Sequence, residues 1–239
     1  TLSVAKALVE TGMVKRVEPE TKIVLETPTG LVTVYVKWEN HMVASINLEN
    51  VPAFLYRKDL HIDLAGYGDV SVDIGYGGNF FVLADVRSLG LTITKDTVNL
   101  LRSLSKDILA AANKVIKVAH PTNPAINYLD QVLFCQNAPE EDGGYLAQCI
   151  FGDAQADISP CGTGTSTRLA QRYFRGLIGL EETFVQKSVC GGAFHARGLR
   201  ETTLGGVSAI VPYVSCSDVH ITGFNHLIVE ENDKLKNGF

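Results

Sequence analysis

The sequence has no excess of positive charge and no long apolar run. Its 239 residues carry a formal net charge of −5, which gives no electrostatic support for binding nucleic acid or an anionic membrane. No apolar stretch approaches the roughly 20 residues that a membrane-spanning helix needs, and the residues after Thr1 do not resemble a secretory signal peptide. We therefore expect neither a nucleic-acid partner nor a membrane association.

Cysteine is scarce and irregularly spaced. The chain has five cysteines, an odd number, and no Cys-x-x-Cys pair. This pattern argues against a disulfide framework or a zinc site and favours a reducing compartment. We expect a cytoplasmic protein without a bound metal. An apolar content of 46% and a charged content of 20% are ordinary for a globular chain with one large or two modest domains.

The spacing of apolar residues predicts a mixture of helices and strands. A period near 3.6 indicates helices, and a period of two indicates strands. We expect residues 50–56 to form a loop with a short strand. The predicted helices are 1–11, 96–115 and 165–175. The predicted strands are 22–27, 31–38, 42–47, 70–76, 80–84, 131–135, 145–151, 184–189, 192–198, 206–213 and 219–223.

The sequence contains an internal repeat. Each copy is a helix stopped by a glycine and followed by strands, and the two copies align when Gly12 is placed opposite Gly176. In this alignment Thr1 falls opposite Thr165. Cys161 then falls opposite a position four residues before Thr1.

The residues around Cys161 predict a reactive thiol beside an anion site. Cys161 follows Pro160 and precedes Gly-Thr-Gly-Thr-Ser, at or just before the start of a helix. Unpaired N–H groups and the helix dipole favour a thiolate there and can also hold a carboxylate. The alternative is that Cys161 is a small buried apolar residue. That role requires neither Asp157, Pro160 nor the glycines.

The segment Asp157-x-Ser159-Pro160-Cys161-Gly-Thr-Gly-Thr-Ser resembles the second cysteine motif of the proline racemase family. This family includes hydroxyproline 2-epimerases and trans-3-hydroxyproline dehydratases. The resemblance extends over essentially the whole chain. It continues in Thr27-Pro28-x-Gly30, Asn50-Val51-Pro52-Ala53-Phe54, Tyr76-Gly77-Gly78-Asn79-Phe80-Phe81 and Ile221-Thr222-Gly223.

The resemblance implies an α/β (α+β) fold of the diaminopimelate epimerase type. Such a fold has two pseudo-symmetric halves, each with a β-sheet around a central helix, and binds substrate between the two helix N-termini. We expect residues 1–110 to be the remainder of the first half and 111–220 the second half. Residues 221–239 would return as a strand and tail to the first half. The first half would be incomplete, since the family's first catalytic cysteine would precede Thr1. The family also implies a homodimer.

The implied chemistry is cofactor-independent proton transfer at an amino-acid α-carbon. Two thiols flank the carbon and act as base and acid. By this resemblance Cys161 is one of them. The N–H groups of Gly162 and Thr163 would hold the substrate carboxylate. Asp157 would bind the ammonium, although it could instead cap a turn. Phe151 would cover a proline ring, although it could equally be a core strand residue.

The favoured hypothesis is interconversion of L- and D-proline. A 4-hydroxyproline 2-epimerase is the alternative within the family, and an inactive homologue that only binds is the alternative outside catalysis. A hydrolase would require a histidine near Cys161. Some dehydratases replace the second cysteine with Thr or Ser, and Cys161 argues against that version. The other four cysteines have no helix-opening context, and Cys135 and Cys149 are predicted in the core.

Overall fold

The computed structural model describes residues 1–225 and 228–237. Three helices and twelve strands are present in this part of the chain. The helices are α1 (Leu2–Glu10), α2 (Val98–Val115) and α3 (Gly162–Phe174), with a short 3₁₀ turn at Val86–Leu89. The strands are β1 (Glu20–Thr27), β2 (Gly30–Glu39), β3 (Met42–Glu49), β4 (Phe54–Leu64), β5 (Gly68–Tyr76), β6 (Phe80–Asp85), β7 (Gln131–Cys135), β8 (Tyr145–Phe151), β9 (Gln155–Ala156), β10 (Phe184–Lys187), β11 (Ala193–Leu204) and β12 (Val207–Cys216).

The strands of both halves hydrogen-bond in one continuous path. Its order is β1-β2-β3-β12-β11-β10-β8-β7-β6-β5-β4, with β9 added beside β8. The pairs β6–β7 and β8–β10 are parallel, and the others are antiparallel. A bridge between Ala53 and Ile210 brings the start of β4 back to β12. The path from β12 to β4 therefore closes on itself around a helix.

That enclosed helix is α3. It contacts β4 and β5 on one side and β11 and β12 on the other, and its residues 164–170 are all buried. The longest helix, α2, packs instead against β4, β7 and β8. In the described part of the chain, no helix is long and apolar enough to cross a membrane.

The predicted repeat is visible in the helix C-termini. Gly12 and Gly176 follow α1 and α3 with φ of +74° and +70°, the left-handed conformation that glycine adopts without steric cost. After α1, the N–H of Val14 donates to the Leu8 carbonyl at 3.0 Å. After α3, the N–H of Leu177 donates to the Arg172 carbonyl at 2.8 Å. The two copies thus stop their helices in similar ways.

One predicted strand was wrong, and another was too short. Residues 50–56 form a loop and the start of a strand, as predicted, but that strand, β4, runs for eleven residues from Phe54. Its charged run Arg57-Lys58-Asp59 breaks the two-residue period, and the register shifts there as β-bulges. The expected last strand, 219–223, has no strand structure. The carbonyl of Val219 accepts a bond from the Lys6 ammonium at 2.5 Å instead.

The last strand, β12, pairs with β3. Of the expected tail 221–239, residues 226, 227, 238 and 239 lie outside the described residues. The remainder of the tail, 221–225 and 228–237, contains no helix or strand.

Candidate active site

Cys161 occupies the N-cap position of α3, as the sequence predicts. Its backbone has φ 64° and ψ 109°, a conformation that non-glycine residues rarely adopt and that tends to occur at functional sites. The sulfur accepts the N–H of Gly164 at 3.3 Å. The hydroxyl of Thr163 lies 3.6 Å from the same sulfur. Cys161 is only 7% exposed.

The surroundings of Cys161 favour its thiolate. Interaction with the Cys149 thiol is the largest influence and lowers the pKa of Cys161. Burial opposes this shift, while the Thr163 hydroxyl and the Gly164 N–H support it. The same interaction, together with burial, raises the pKa of Cys149. When one thiol of the pair ionises, the charge is therefore favoured on Cys161 and the proton on Cys149.

The sequence does not predict that Cys149 lies beside Cys161. It is buried on β8, as predicted for a core residue. Its sulfur nevertheless lies within 4.8 Å of both the Cys161 sulfur and an Asp157 carboxylate oxygen. These three atoms are also the one group in the described residues that is close enough together to hold a metal ion.

Asp157 is held at the site by the turn that precedes α3. One carboxylate oxygen accepts the N–H of Ser159 at 2.8 Å, so the turn-capping role is present. The side-chain amide of Gln148 donates to the Asp157 carbonyl at 2.8 Å. The Asp157 side chain still faces the cavity that Cys161 lines. Its capping bond leaves the other carboxylate oxygen for a ligand.

The first two N–H groups of α3 belong to Gly162 and Thr163, and neither donates to an acceptor within the described residues. This is expected, since the first turn of a helix has no internal acceptors. Both residues line the same cavity as Cys161 and Asp157. The four residues together present a thiol with a lowered pKa, a carboxylate and two free donors.

The cavity has a volume of about 810 Å³ and opens to solvent. Apolar side chains form part of its wall, together with the polar groups of the α3 N-terminus. The apolar residues are Leu2, Leu48, Ile158, Phe194 and Val219. A small molecule with a charged end and an apolar ring matches this division.

The structure places several other residues differently from the sequence expectations. Phe151 is half-buried and packs against the small apolar cluster that contains Cys161, and it does not line the cavity. Cys190 and Cys216, which had no helix-opening context, do line it. His220 also lines the cavity, but no histidine among the described residues hydrogen-bonds to Cys161.

A glycine-rich turn supports the start of α3. A Cβ on Gly77 would lie 2.5 Å from the backbone nitrogen of Thr167 and 2.7 Å from the carbonyl oxygen of Thr163. Only glycine permits this approach. Asn50 links the turn to the helix by donating to the Gly77 carbonyl at 3.0 Å and to the Ser166 hydroxyl at 2.9 Å. These glycines thus support the site through packing.

The sequence model of the family described as proline racemase matches residues 1–239. The chain belongs to the proline racemase family. It is 38% identical to the trans-3-hydroxy-L-proline dehydratase of Burkholderia cenocepacia and to the proline racemase of Acetoanaerobium sticklandii. Each match covers all of this chain and 71% of the relative.

A crystal structure of a hydroxyproline epimerase from Agrobacterium vitis, with bound trans-4-hydroxy-L-proline, has a TM-score of 0.90 to this chain. It is 33% identical and covers 100% of this chain and 68% of that one. The expected fold class is confirmed. The names of these proline racemase family members include racemase, epimerase and dehydratase activities, which supports an isomerase- or lyase-type enzyme.

Proposed function

We propose that this protein inverts the α-carbon of proline by cofactor-independent proton transfer. The observation that carries the proposal is the Cys161 thiol at the N-terminus of α3, lining the same cavity as Asp157 and the free N–H groups. The α-proton of an amino acid is weakly acidic. Its removal therefore needs a base at the carbon and donors that stabilise the developing negative charge.

Each group has a distinct role in this mechanism. The Cys161 thiolate accepts the α-proton from one face of the substrate. The N–H groups of Gly162 and Thr163 bind the substrate carboxylate, where charge accumulates in the carbanion. Asp157 accepts a hydrogen bond from the ammonium and fixes the orientation of the ring. All four residues line one cavity.

Inversion also requires an acid on the opposite face. We place this second thiol before Thr1 in the complete protein, as the family motif implies. Thr1, Leu2 and Ser3 line the same cavity as Cys161, so residues just before Thr1 would enter at its wall. With two thiols, each handedness of substrate uses one as base and the other as acid.

Proline is favoured by the apolar part of the cavity wall, which suits an unsubstituted ring. A 4-hydroxyproline 2-epimerase is the second candidate. The structural relative from Agrobacterium vitis carries trans-4-hydroxy-L-proline, and Asp218 and His220 of this chain could bond a ring hydroxyl from the cavity wall. We also propose, on the family resemblance, a cytoplasmic homodimer, which sedimentation analysis would test.

The test is a substrate comparison with the complete protein. It would be incubated with L-proline, D-proline and trans-4-hydroxy-L-proline, and the products separated by chiral chromatography. We expect both proline enantiomers to reach the same equal mixture without added cofactor. Turnover of hydroxyproline alone would select the second candidate. Inertness towards all three would indicate a protein that only binds.

An Asp157→Asn variant tests the assignment of the ammonium partner. Asn keeps the shape and the turn bond from Ser159 but loses the charge. We expect KM for proline to rise and Tm to stay close to that of the wild type. An unchanged KM would leave Asp157 as a turn cap alone.

A further inference from the structure

Cys149 has no part in the proposed proton transfer, yet it is the thiol nearest to Cys161. The two sulfurs lie within 4.8 Å of each other, and both residues belong to one small apolar cluster. Their backbones are held in place, because the Cys149 carbonyl accepts the N–H of Asp157 at 3.0 Å. The Gln148 side chain donates to the carbonyls of Cys149 and Asp157 at 3.0 and 2.8 Å. The pair is thus a fixed feature of the site.

We propose that Cys149 and Cys161 are an oxidisable thiol pair, which hydrogen peroxide converts to a reversible disulfide. A disulfide requires a sulfur separation of about 2.05 Å. The two sulfurs must therefore approach by about 2.8 Å at most from the present limit of 4.8 Å.

The two thiols differ in the way that the reaction requires. Cys161 faces the cavity and favours its thiolate, so a small hydroperoxide can reach it and react. Cys149 does not line the cavity and is 2% exposed. Oxidant therefore reacts first at Cys161, and Cys149 becomes the resolving thiol.

The reaction balances in two steps. The Cys161 thiolate attacks one oxygen of hydrogen peroxide, the O–O bond breaks, and sulfenic acid and hydroxide form. Cys149 then loses its proton, its sulfur attacks the Cys161 sulfur, and the S–O bond breaks as water leaves. Overall, two thiols and one peroxide give one disulfide and two waters.

The first step also prepares the second. The Cys161 thiolate is the main cause of the raised pKa of Cys149. Conversion of that thiolate to a neutral sulfenic acid weakens the hydrogen bond that holds the Cys149 proton and removes the nearby charge, so the pKa of Cys149 falls. The disulfide would then protect Cys161 from irreversible oxidation to sulfinic acid. If Cys161 is the proposed acid/base, the disulfide also stops turnover.

Mass spectrometry tests the proposal without relying on activity. The reduced protein is treated with limiting hydrogen peroxide, blocked with N-ethylmaleimide and digested without reductant. We expect loss of two free thiols per chain and a cross-linked peptide pair joining Cys149 to Cys161, both reversed by dithiothreitol. A Cys149→Ala variant should form no such pair and should accumulate Cys161 sulfinic acid that dithiothreitol does not reverse.

The control is Cys190→Ser, since Cys190 is exposed and lines the same cavity. This variant should keep the Cys149–Cys161 link. A wild-type link between Cys161 and Cys190 would overturn the proposal. So would Cys161 sulfinic acid beside an unmodified Cys149 in the wild type. The cross-link found in the wild-type peptide map tests the proposal even if the Cys149→Ala variant does not fold. Failure of proline turnover would leave this result unaffected.

Discussion

Replacing Gly77 with Ala should displace the N-terminus of α3 and the candidate site with it. The added Cβ would lie 2.5 Å from the backbone nitrogen of Thr167, where ordinary contact begins at 3.4 Å. The turn and the helix must therefore separate by about 0.9 Å, which is 3.4 minus 2.5. The Thr163 carbonyl is also too close, at 2.7 Å. Because the clashing atoms belong to backbone, a side-chain rotation cannot relieve them.

The expected cost follows from this overpacking. Extra methyl groups in a packed interior destabilise by about 1–3 kcal/mol. For a chain of this size, about 2 kcal/mol corresponds to a Tm lower by roughly 4–8 °C. A displacement near 1 Å at a reacting site can lower the rate by about 100-fold. The assays are calorimetric unfolding and proline turnover of Gly77→Ala.

The matched control is Gly223→Ala. A Cβ on Gly223 meets no atom of the described residues within 4 Å, and its backbone is not in the left-handed region. This control should keep the Tm and turnover of the wild type. A Gly77→Ala variant with wild-type Tm and turnover would refute the claim that this close approach positions α3.

Two further predictions rest on ionisable groups. The rate at which iodoacetamide alkylates Cys161 should rise with pH around a midpoint below the ordinary thiol pKa of about 8.5. Cys149→Ala should move that midpoint upward, since the Cys149 thiol lowers the pKa of Cys161. Equal midpoints in the wild type and the variant would contradict this interaction. Asp73 is nearly buried, and burial raises its pKa, but bonds from Arg175, Gln171 and the Asp59 N–H outweigh burial and lower it. Because the folded-state pKa is lowered, the stabilisation is present at neutral pH and is lost as pH falls below about 4. Arg175→Ala should therefore lower the free energy of unfolding by about 3 kcal/mol at pH 7. The difference in unfolding free energy between the wild type and the variant should become smaller when denaturant unfolding is repeated at acid pH. A difference that does not depend on pH would contradict the role of Asp73.

Local features of the sequence predict the centre of the site well. Pro160, Cys161 and the following glycines are consecutive, and the apolar spacing and Gly176 define the helix that they open. Cys161 at the N-cap was predicted because a helix start depends on neighbouring residues. The same holds for the turn geometry of Asp157.

Features that depend on packing between distant segments were not predictable. Cys149 reads as an ordinary residue of an apolar strand, and only the packing of β8 beside the start of α3 brings its sulfur to Cys161. Cys190 and Cys216 reach the cavity because β10–β12 cross beside α3. The pairing of β12 with β3 joins residues 164 to 170 positions apart. No local pattern encodes such a pair.

The central claim is that Cys161 exchanges a proton with the substrate α-carbon. The most direct measurement is NMR detection of deuterium incorporation at the α-carbon of L- and D-proline in heavy water, comparing the complete wild-type protein with Cys161→Ser. We expect the variant to keep its fold and to lose exchange of the enantiomer whose α-proton faces Cys161 by at least about 100-fold, the usual contribution of an acid/base group. Near wild-type exchange of both enantiomers by a folded Cys161→Ser protein would contradict the claim.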